Sequence, residues 1–183
     1  MDGKGRTFQD VIVSERSFWV VHSLLDHGRE GWKGSSKMEL LARMEKIMGE
    51  HPDLSAAGFR VVDLSESEFA EYREEFTKEF AGVMRAVRLL EMASTSKSCR
   101  VHSYNLKHTL ERWMSLLDGE YGYLSNGSAI LACYLLGIEV KPIQPEGKRR
   151  TNPNALVGIN YQWYAGCNAV IDVWRNKSLF KGG

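Results

Sequence analysis

Cysteine and proline are scarce in this chain. Its 183 residues include three cysteines and four prolines. Cys99, Cys133 and Cys167 are far apart and odd in number, and no Cys-x-x-Cys pair occurs, which argues against the common zinc and redox spacings. The start, Met-Asp-Gly-Lys-Gly-Arg, lacks the apolar stretch of a secretory signal peptide. Free thiols and a cytoplasmic location are therefore predicted.

Long apolar runs and a strong overall charge are also missing. The longest runs, at residues 18–21 and 129–136, fall well short of the roughly 20 residues that a membrane-spanning helix needs. Lys and Arg number 24 against 23 Asp and Glu, so the net charge of +1 creates no field that attracts nucleic acid or an anionic membrane. We expect no membrane partner, and any nucleic-acid contact must come from a local patch.

Helical spacing dominates the first half of the chain. Ser36 and Glu39 have the spacing of a capping box, and apolar residues follow at helical intervals: Met38, Leu41, Met44 and Met48. Residues 58–64 are typical of a short strand. Ser65 and Glu68 form a second capping box, which opens a single amphipathic helix of about 25 residues. Its predicted apolar stripe consists of Phe69, Tyr72, Phe76, Phe80, Val83, Val87 and Leu90.

The second half predicts two helices and a hairpin. Ser103 is the expected cap of a helix that ends at Gly119, with an apolar stripe of Leu106, Leu110, Trp113 and Leu117. Ser125 or Asn126 caps a shorter helix through Leu136. Residues 138–143 and 156–159 then alternate as paired strands, and residues 170–174 suit a final strand. The aromatics Tyr161, Trp163, Tyr164, Trp174 and Phe180 belong to the core or to an interface.

These elements predict an α+β fold, with a long amphipathic helix and a helix-turn-helix-like pair packed on a small antiparallel sheet. One domain is expected over residues 1–183, with an internal boundary near the polar linker at 94–98.

Acidic residues crowd the first half of the long helix. They are Glu68, Glu71, Glu74, Glu75 and Glu79. Acid early in a helix complements the helix dipole, so an ordinary solvated surface is one interpretation. An acidic docking face that mimics a nucleic acid is the other.

A second group of polar residues follows residue 102. Lys107, His108 and Glu111 are expected on one solvent-facing sector of their helix, with His102 just before it. Tyr104, Lys107 and His108 are also expected to form, with the neighbouring basic hairpin turn at 141–150, a surface that binds a partner or nucleic acid. His102, His108 and Glu111 suit general acid–base chemistry, although no activated nucleophile accompanies them. Lys107 and Glu111 equally suit an ordinary i,i+4 ion pair. Cys99 with the two histidines matches no zinc pattern, so no metal or cofactor is predicted.

Two further features are candidates for binding phosphate groups. Ser125 and Asn126 lie at a helix start, where free backbone N–H groups can hold an anion. The one basic cluster lies on or beside the hairpin turn and consists of Lys141, Lys148, Arg149 and Arg150. It predicts either a solvated loop or a contact with a nucleic-acid backbone.

Three blocks carry a resemblance to known proteins. They read His-Ser-Tyr-Asn-Leu-Lys-His-Thr-Leu-Glu from 102, Tyr-Leu-Ser-Asn-Gly-Ser-Ala-Ile-Leu-Ala from 123, and Asn-Pro-Asn-Ala-Leu-Val-Gly-Ile from 152. Residues 102–160 resemble small accessory proteins of bacteriophages and plasmids, many of which have Ser-Tyr-Gly-Leu-Lys-His; Asn105 replaces that glycine. The resemblance implies antagonism of a host defence system, as by an anti-CRISPR protein. Such inhibitors are small, cytoplasmic and non-catalytic.

Three functions follow in order of preference. The first is a non-enzymatic interaction protein, encoded by a mobile element, that binds and inhibits a host protein or nucleoprotein complex such as a CRISPR effector. The second is a DNA- or RNA-binding accessory protein that uses the helices at 103–136 and the loop at 141–150. The third is a small enzyme that uses His102, His108 and Glu111.

Overall fold

A computed structural model describes residues 37–118, 122–144 and 149–179, all within one compact unit, Gly34–Gly183. The predictions for residues 1–34, Ser36, Gly119, Lys148 and Phe180 lie outside these ranges. The helices are α1 (Lys37–Glu50), α2 (Glu66–Lys78), α3 (Phe80–Leu90), α4 (Ser103–Asp118), α5 (Asn126–Leu135) and α6 (Tyr161–Leu179). None of these described helices is both long enough and apolar enough to cross a membrane.

Two small antiparallel sheets complete the predicted α+β fold, which is confirmed. The strands are β1 (Leu54–Ser55), β2 (Gly58–Phe59), β3 (Val101–His102), β4 (Val140–Pro142) and β5 (Ala155–Val157). β1 pairs with β2, so the strand predicted at 58–64 is shorter than expected. β4 and β5 form the predicted hairpin, and β3 adds to the other edge of β5 in the order β3-β5-β4.

The predicted single long helix is interrupted at Glu79. The capping box of Ser65 and Glu68 starts α2 as predicted. At Glu79, φ of −92° and ψ of 9° depart from helical geometry, and α3 begins at Phe80. No glycine or proline stands at the break. The carboxylate of Glu79 instead bonds to the start of α5, a long-range contact that helical periodicity does not contain.

Helix α5 is the centre of the core, because only Tyr134 among its ten residues is not buried. Around it, two predicted stripes are offset. Met38 is 75% exposed on α1, while Leu40 and Met44 are buried. On α4, Leu117 is exposed and Met114 takes its place in the core. The α4 stripe is therefore correct except at Leu117, whereas on α1 only Met44 of the predicted residues is buried and Leu41 and Met48 are half-buried.

The strand predicted at 170–174 is wrong, since these residues belong to α6. The Asn160 side chain accepts hydrogen bonds from the N–H groups of Gln162 and Trp163 at 2.8 and 3.3 Å, which is how an Asn cap starts a helix. Cys167 and Ile171 bury one face at i,i+4 spacing. Tyr161 and Trp174 are exposed, so neither aromatic belongs to the core.

Two buried thiols make the fold sensitive to alkali. Burial raises the pKa of Cys133 and of Cys167 from 9.0 to about 12. Below pH 9 each thiol is protonated in both the folded and the unfolded chain, so the stability contribution is constant. Between pH 9 and about 12 the unfolded chain ionises first, and the free energy of unfolding falls, by about 1.4 kcal/mol per thiol at pH 10.

We therefore expect Cys133→Ala to lose less stability than wild type between pH 8 and pH 10, by about 1.4 kcal/mol. Urea unfolding at the two pH values measures the loss of unfolding free energy within each protein. The cavity that Cys133→Ala leaves lowers stability equally at both pH values, so its cost cancels. Equal losses would contradict the assignment.

Candidate functional site

The three blocks at 102–111, 123–132 and 152–159 meet in a buried hydrogen-bond network. The Ser103 hydroxyl donates to Asn126 Oδ1 at 2.9 Å and accepts from the Ala155 N–H at 3.0 Å. Asn126 Nδ2 donates to the carbonyls of Ala57 and Pro153 at 3.4 Å. Ser103 is therefore not the simple helix cap that was predicted. Asn126 is buried and serves to join segments, so it is not placed to contact a partner.

The Glu79 carboxylate occupies the N-terminus of α5. Ser125 caps the helix through the Ser128 N–H, as predicted. The Glu79 carboxylate accepts hydrogen bonds from the Ser125 N–H and the Ser128 hydroxyl. Because a helix N-terminus favours negative charge, Glu79 satisfies the position that the sequence suggested for phosphate. Ser125 is accordingly a structural residue and not an open anion site.

Lys107 and His108 of α4 both contact the buried carboxylate of Glu111 on the same helix. The Glu111 side chain is 2% exposed. Its Oε1 lies 3.4 Å from Lys107 Nζ and accepts from the Leu124 N–H at 3.1 Å, while Oε2 lies 2.8 Å from His108 Nδ1. The i,i+4 pair is confirmed. The predicted solvent-facing sector is wrong for Lys107 and Glu111, because the segment around Leu124 folds over this side of α4.

Two exposed tyrosines flank the lysine. Lys107 Nζ lies 5.4 Å from the ring centroid of Tyr104 and 5.1 Å from that of Tyr123, both within cation–π range. The Tyr104 ring also meets the His108 ring edge-on at 4.5 Å. Tyr104 is 48% and Tyr123 64% exposed. We call Tyr104, Lys107, His108, Glu111 and Tyr123 the Lys107 cluster.

The end of the acidic helix adjoins this cluster. Burial raises the pKa of the Tyr123 phenol, and the negative charges of Glu79, Glu111 and Glu75 raise it further. Glu79 accepts a hydrogen bond from the Ser125 N–H, two residues after Tyr123, and Glu75 lies one helical turn before Glu79 on the same side of α2. Tyr123 lies in the connection between α4 and α5; it is the first residue of the block at 123–132, but the sequence did not single it out as a site residue. It lies between the acidic face of α2 and the polar residues of α4, which the sequence singled out as separate surfaces.

The remaining glutamates of the acidic face have different surroundings. Glu68 belongs to the capping box, and hydrogen bonds from the Ser65 side chain and backbone lower the pKa of its carboxyl. Glu74 pairs with Lys78 at 3.1 Å. Glu71 and Glu75 are exposed, whereas Glu79 is half-buried.

The residues proposed for acid–base chemistry do not assemble. Glu111 orients His108, but no hydrogen bond or ion pair within the described ranges joins His102 to either residue. His102 Nδ1 is buried without a hydrogen-bond partner there. Nor do the described His, Cys, Asp and Glu side chains form a group of three or more that could hold a metal ion. The arrangement can orient the His108 imidazole through Glu111.

The basic cluster is partly neutralised by ion pairs within the chain. Arg150 forms an ion pair with Asp53 and lies 4.8 Å over the Phe59 ring, so it ties the loop to β2. Lys141 pairs with Glu139 at 3.0 Å. Arg149 is exposed. Two of the four predicted phosphate contacts therefore have partners within the chain.

Comparisons of the chain with protein-family models, with curated proteins and with solved structures returned no match. The cluster geometry and the resemblance over 102–160 are therefore the basis for a functional hypothesis.

Proposed function

We propose that this chain is a non-enzymatic interaction protein that binds and inhibits a host protein or nucleoprotein complex through the Lys107 cluster. The observation that carries the proposal is the pair of exposed tyrosines, Tyr104 and Tyr123, whose rings both lie within cation–π range of Lys107. Tyrosine is enriched among residues that dominate binding energy at interfaces.

The buried ion pair beneath the tyrosines supports a role beyond folding. Burying Lys107 and Glu111 requires removing both charges from water, and apolar residues of similar volume often stabilise a protein as well or better. The pair also fixes the two rings before any partner arrives. A preorganised aromatic surface loses little conformational entropy on binding, which favours affinity.

The nature of the partner comes from the resemblance to accessory proteins of phages and plasmids. That context places the partner in a host defence system, with a CRISPR effector as one example. The chain is then encoded by a mobile element and acts in the cytoplasm of the host.

An affinity pull-down from host lysate tests the proposal. We expect the tagged wild-type protein to capture a stoichiometric partner that survives nuclease treatment. The double variant Tyr104→Ala/Tyr123→Ala should capture at least about tenfold less, because truncating interface anchors typically costs about 2 kcal/mol or more.

Tyr161→Ala is the matched control, since Tyr161 is a tyrosine of similar exposure on α6, at 59%. It should capture the partner as wild type does. Equal capture by the double variant would contradict the proposal, and nucleic acid captured alone would favour a nucleic-acid-binding protein instead.

A further inference from the structure

We propose that the Lys107 cluster, with Glu75 beside it, receives an arginine side chain from an arginine-rich, nucleic-acid-binding surface of the partner protein. This inference rests on the proposed function and names the chemistry of the partner at the same site. The partner's arginine would stack on the solvent-facing side of Tyr123 and extend toward the Glu75 carboxylate.

Tyr123 supplies the stacking surface. Its ring already lies 5.1 Å from the Lys107 ammonium, so one side of the π system contacts a cation of the chain itself. Two-thirds of the residue, 64%, remains exposed. An aromatic ring attracts a cation at either face, and the guanidinium group stacks there most often.

Carboxylates supply the second half of the recognition. The negative charges of Glu75, Glu79 and Glu111 all raise the pKa of the Tyr123 phenol. Lys107 pairs with Glu111, and the Arg85 guanidinium lies near Gly122, the residue before Tyr123. Glu79 and Glu111 are already hydrogen-bonded within the chain. Glu75 is exposed and stands at the solvent side, where a partner can reach it.

The outer face of α2 extends this negative surface. Its only arginine, Arg73, is turned to other elements and donates to the carbonyls of Met48, Pro52 and Leu54 at 3.3, 2.6 and 3.3 Å. Lys78 is the remaining cation of α2 and pairs with Glu74. Glu71 and Glu75 are exposed on this face, and their negative charge complements a basic partner.

Arginine fits this arrangement better than lysine. A planar guanidinium can stack on a ring and at the same time donate two parallel hydrogen bonds to a carboxylate. The ammonium of lysine is a compact, strongly hydrated charge that cannot do both. A surface that binds nucleic acid through arginines presents such groups, so the chain would compete with nucleic acid for it.

Fluorescence anisotropy with labelled repeat peptides of equal length, Arg-Gly, Lys-Gly and Glu-Gly, tests the inference at low salt. We expect the Arg-Gly peptide to bind wild type most tightly and the Glu-Gly peptide not at all. Tyr123→Ala and Glu75→Gln should each weaken Arg-Gly binding by roughly three- to tenfold. Tyr161→Ala should leave it unchanged, and circular dichroism confirms that each variant is folded.

Several outcomes would overturn the inference. They are equal binding of the Lys-Gly peptide, unchanged binding by Tyr123→Ala, or binding of a labelled oligonucleotide in preference to the peptides. The proposed function fails separately: a partner captured through Tyr104 and Tyr123 by a protein that ignores the Arg-Gly peptide would refute only the arginine assignment.

Discussion

Replacing Glu111 by Ala is expected to lower the free energy of unfolding by roughly 3–5 kcal/mol, the usual cost of breaking a buried ion pair. The loss arises because Lys107 keeps its charge in a buried position with no carboxylate opposite it. The Leu124 N–H also loses its acceptor. Urea unfolding followed by circular dichroism measures the difference.

The matched control is the double variant Lys107→Met/Glu111→Leu, which removes both charges and keeps the volume. It should recover most of the stability lost by Glu111→Ala, because neither charge remains without a partner. A loss below about 1 kcal/mol for Glu111→Ala would mean that water or other groups compensate Lys107, and that the pair does not hold the cluster.

Gly127→Ala should destabilise the fold by about 3 kcal/mol or more, at the upper end of overpacking substitutions. A Cβ at this position would overlap the Ser55 carbonyl oxygen and stand 2.8 Å from its carbonyl carbon and 2.9 Å from the Ala56 Cα. These are backbone atoms, which cannot rotate away. The Gly127 N–H would lose its 2.8 Å hydrogen bond to the Ala56 carbonyl as the segments separate.

Gly49→Ala is the control for this substitution. Gly49 lies in α1, and nothing stands within 4 Å of its would-be Cβ. Because alanine is the better helix former, the change should be neutral or stabilise by up to about 1 kcal/mol. Thermal unfolding compares the two variants directly. Similar stabilities would show that the β1–β2 segment can move away from α5 at little cost.

Features encoded by neighbouring residues were predictable from the sequence. The capping box of Ser65 and Glu68 and the cap at Ser125 were both located correctly, because each depends on residues three positions apart. The β4–β5 hairpin and the i,i+4 pair of Lys107 and Glu111 were likewise identified. These interactions lie within one element or between adjacent ones.

Features that depend on distant residues were not predictable. The predicted long helix is interrupted at Glu79, whose carboxylate accepts hydrogen bonds from Ser125 and Ser128, 46 and 49 positions away. Arg150 pairs with Asp53 across 97 positions. Glu111 is buried because the segment around Leu124 covers it. Residues 170–174 match a strand by composition, yet the Asn160 cap and the packing of Ile171 place them in a helix.

The residues of the candidate site also differ in whether the sequence predicts them. Tyr104, Lys107 and His108 were selected from the sequence because they share one helix. Tyr123 was missed, since only the folded chain brings it over Lys107. The acidic face and the α4 residues were treated as separate surfaces. The segment 123–125 connects them, because the Tyr123 ring lies over Lys107 and the Ser125 N–H donates to Glu79.

Amide hydrogen exchange of the protein, alone and in complex with its captured partner, tests directly where the partner binds. We predict slower exchange on binding for residues 71–79, 103–111 and 122–124, which carry the acidic face and the Lys107 cluster. Protection confined to residues 149–157 or 161–176, with the cluster unchanged, would show that the partner does not bind at the Lys107 cluster.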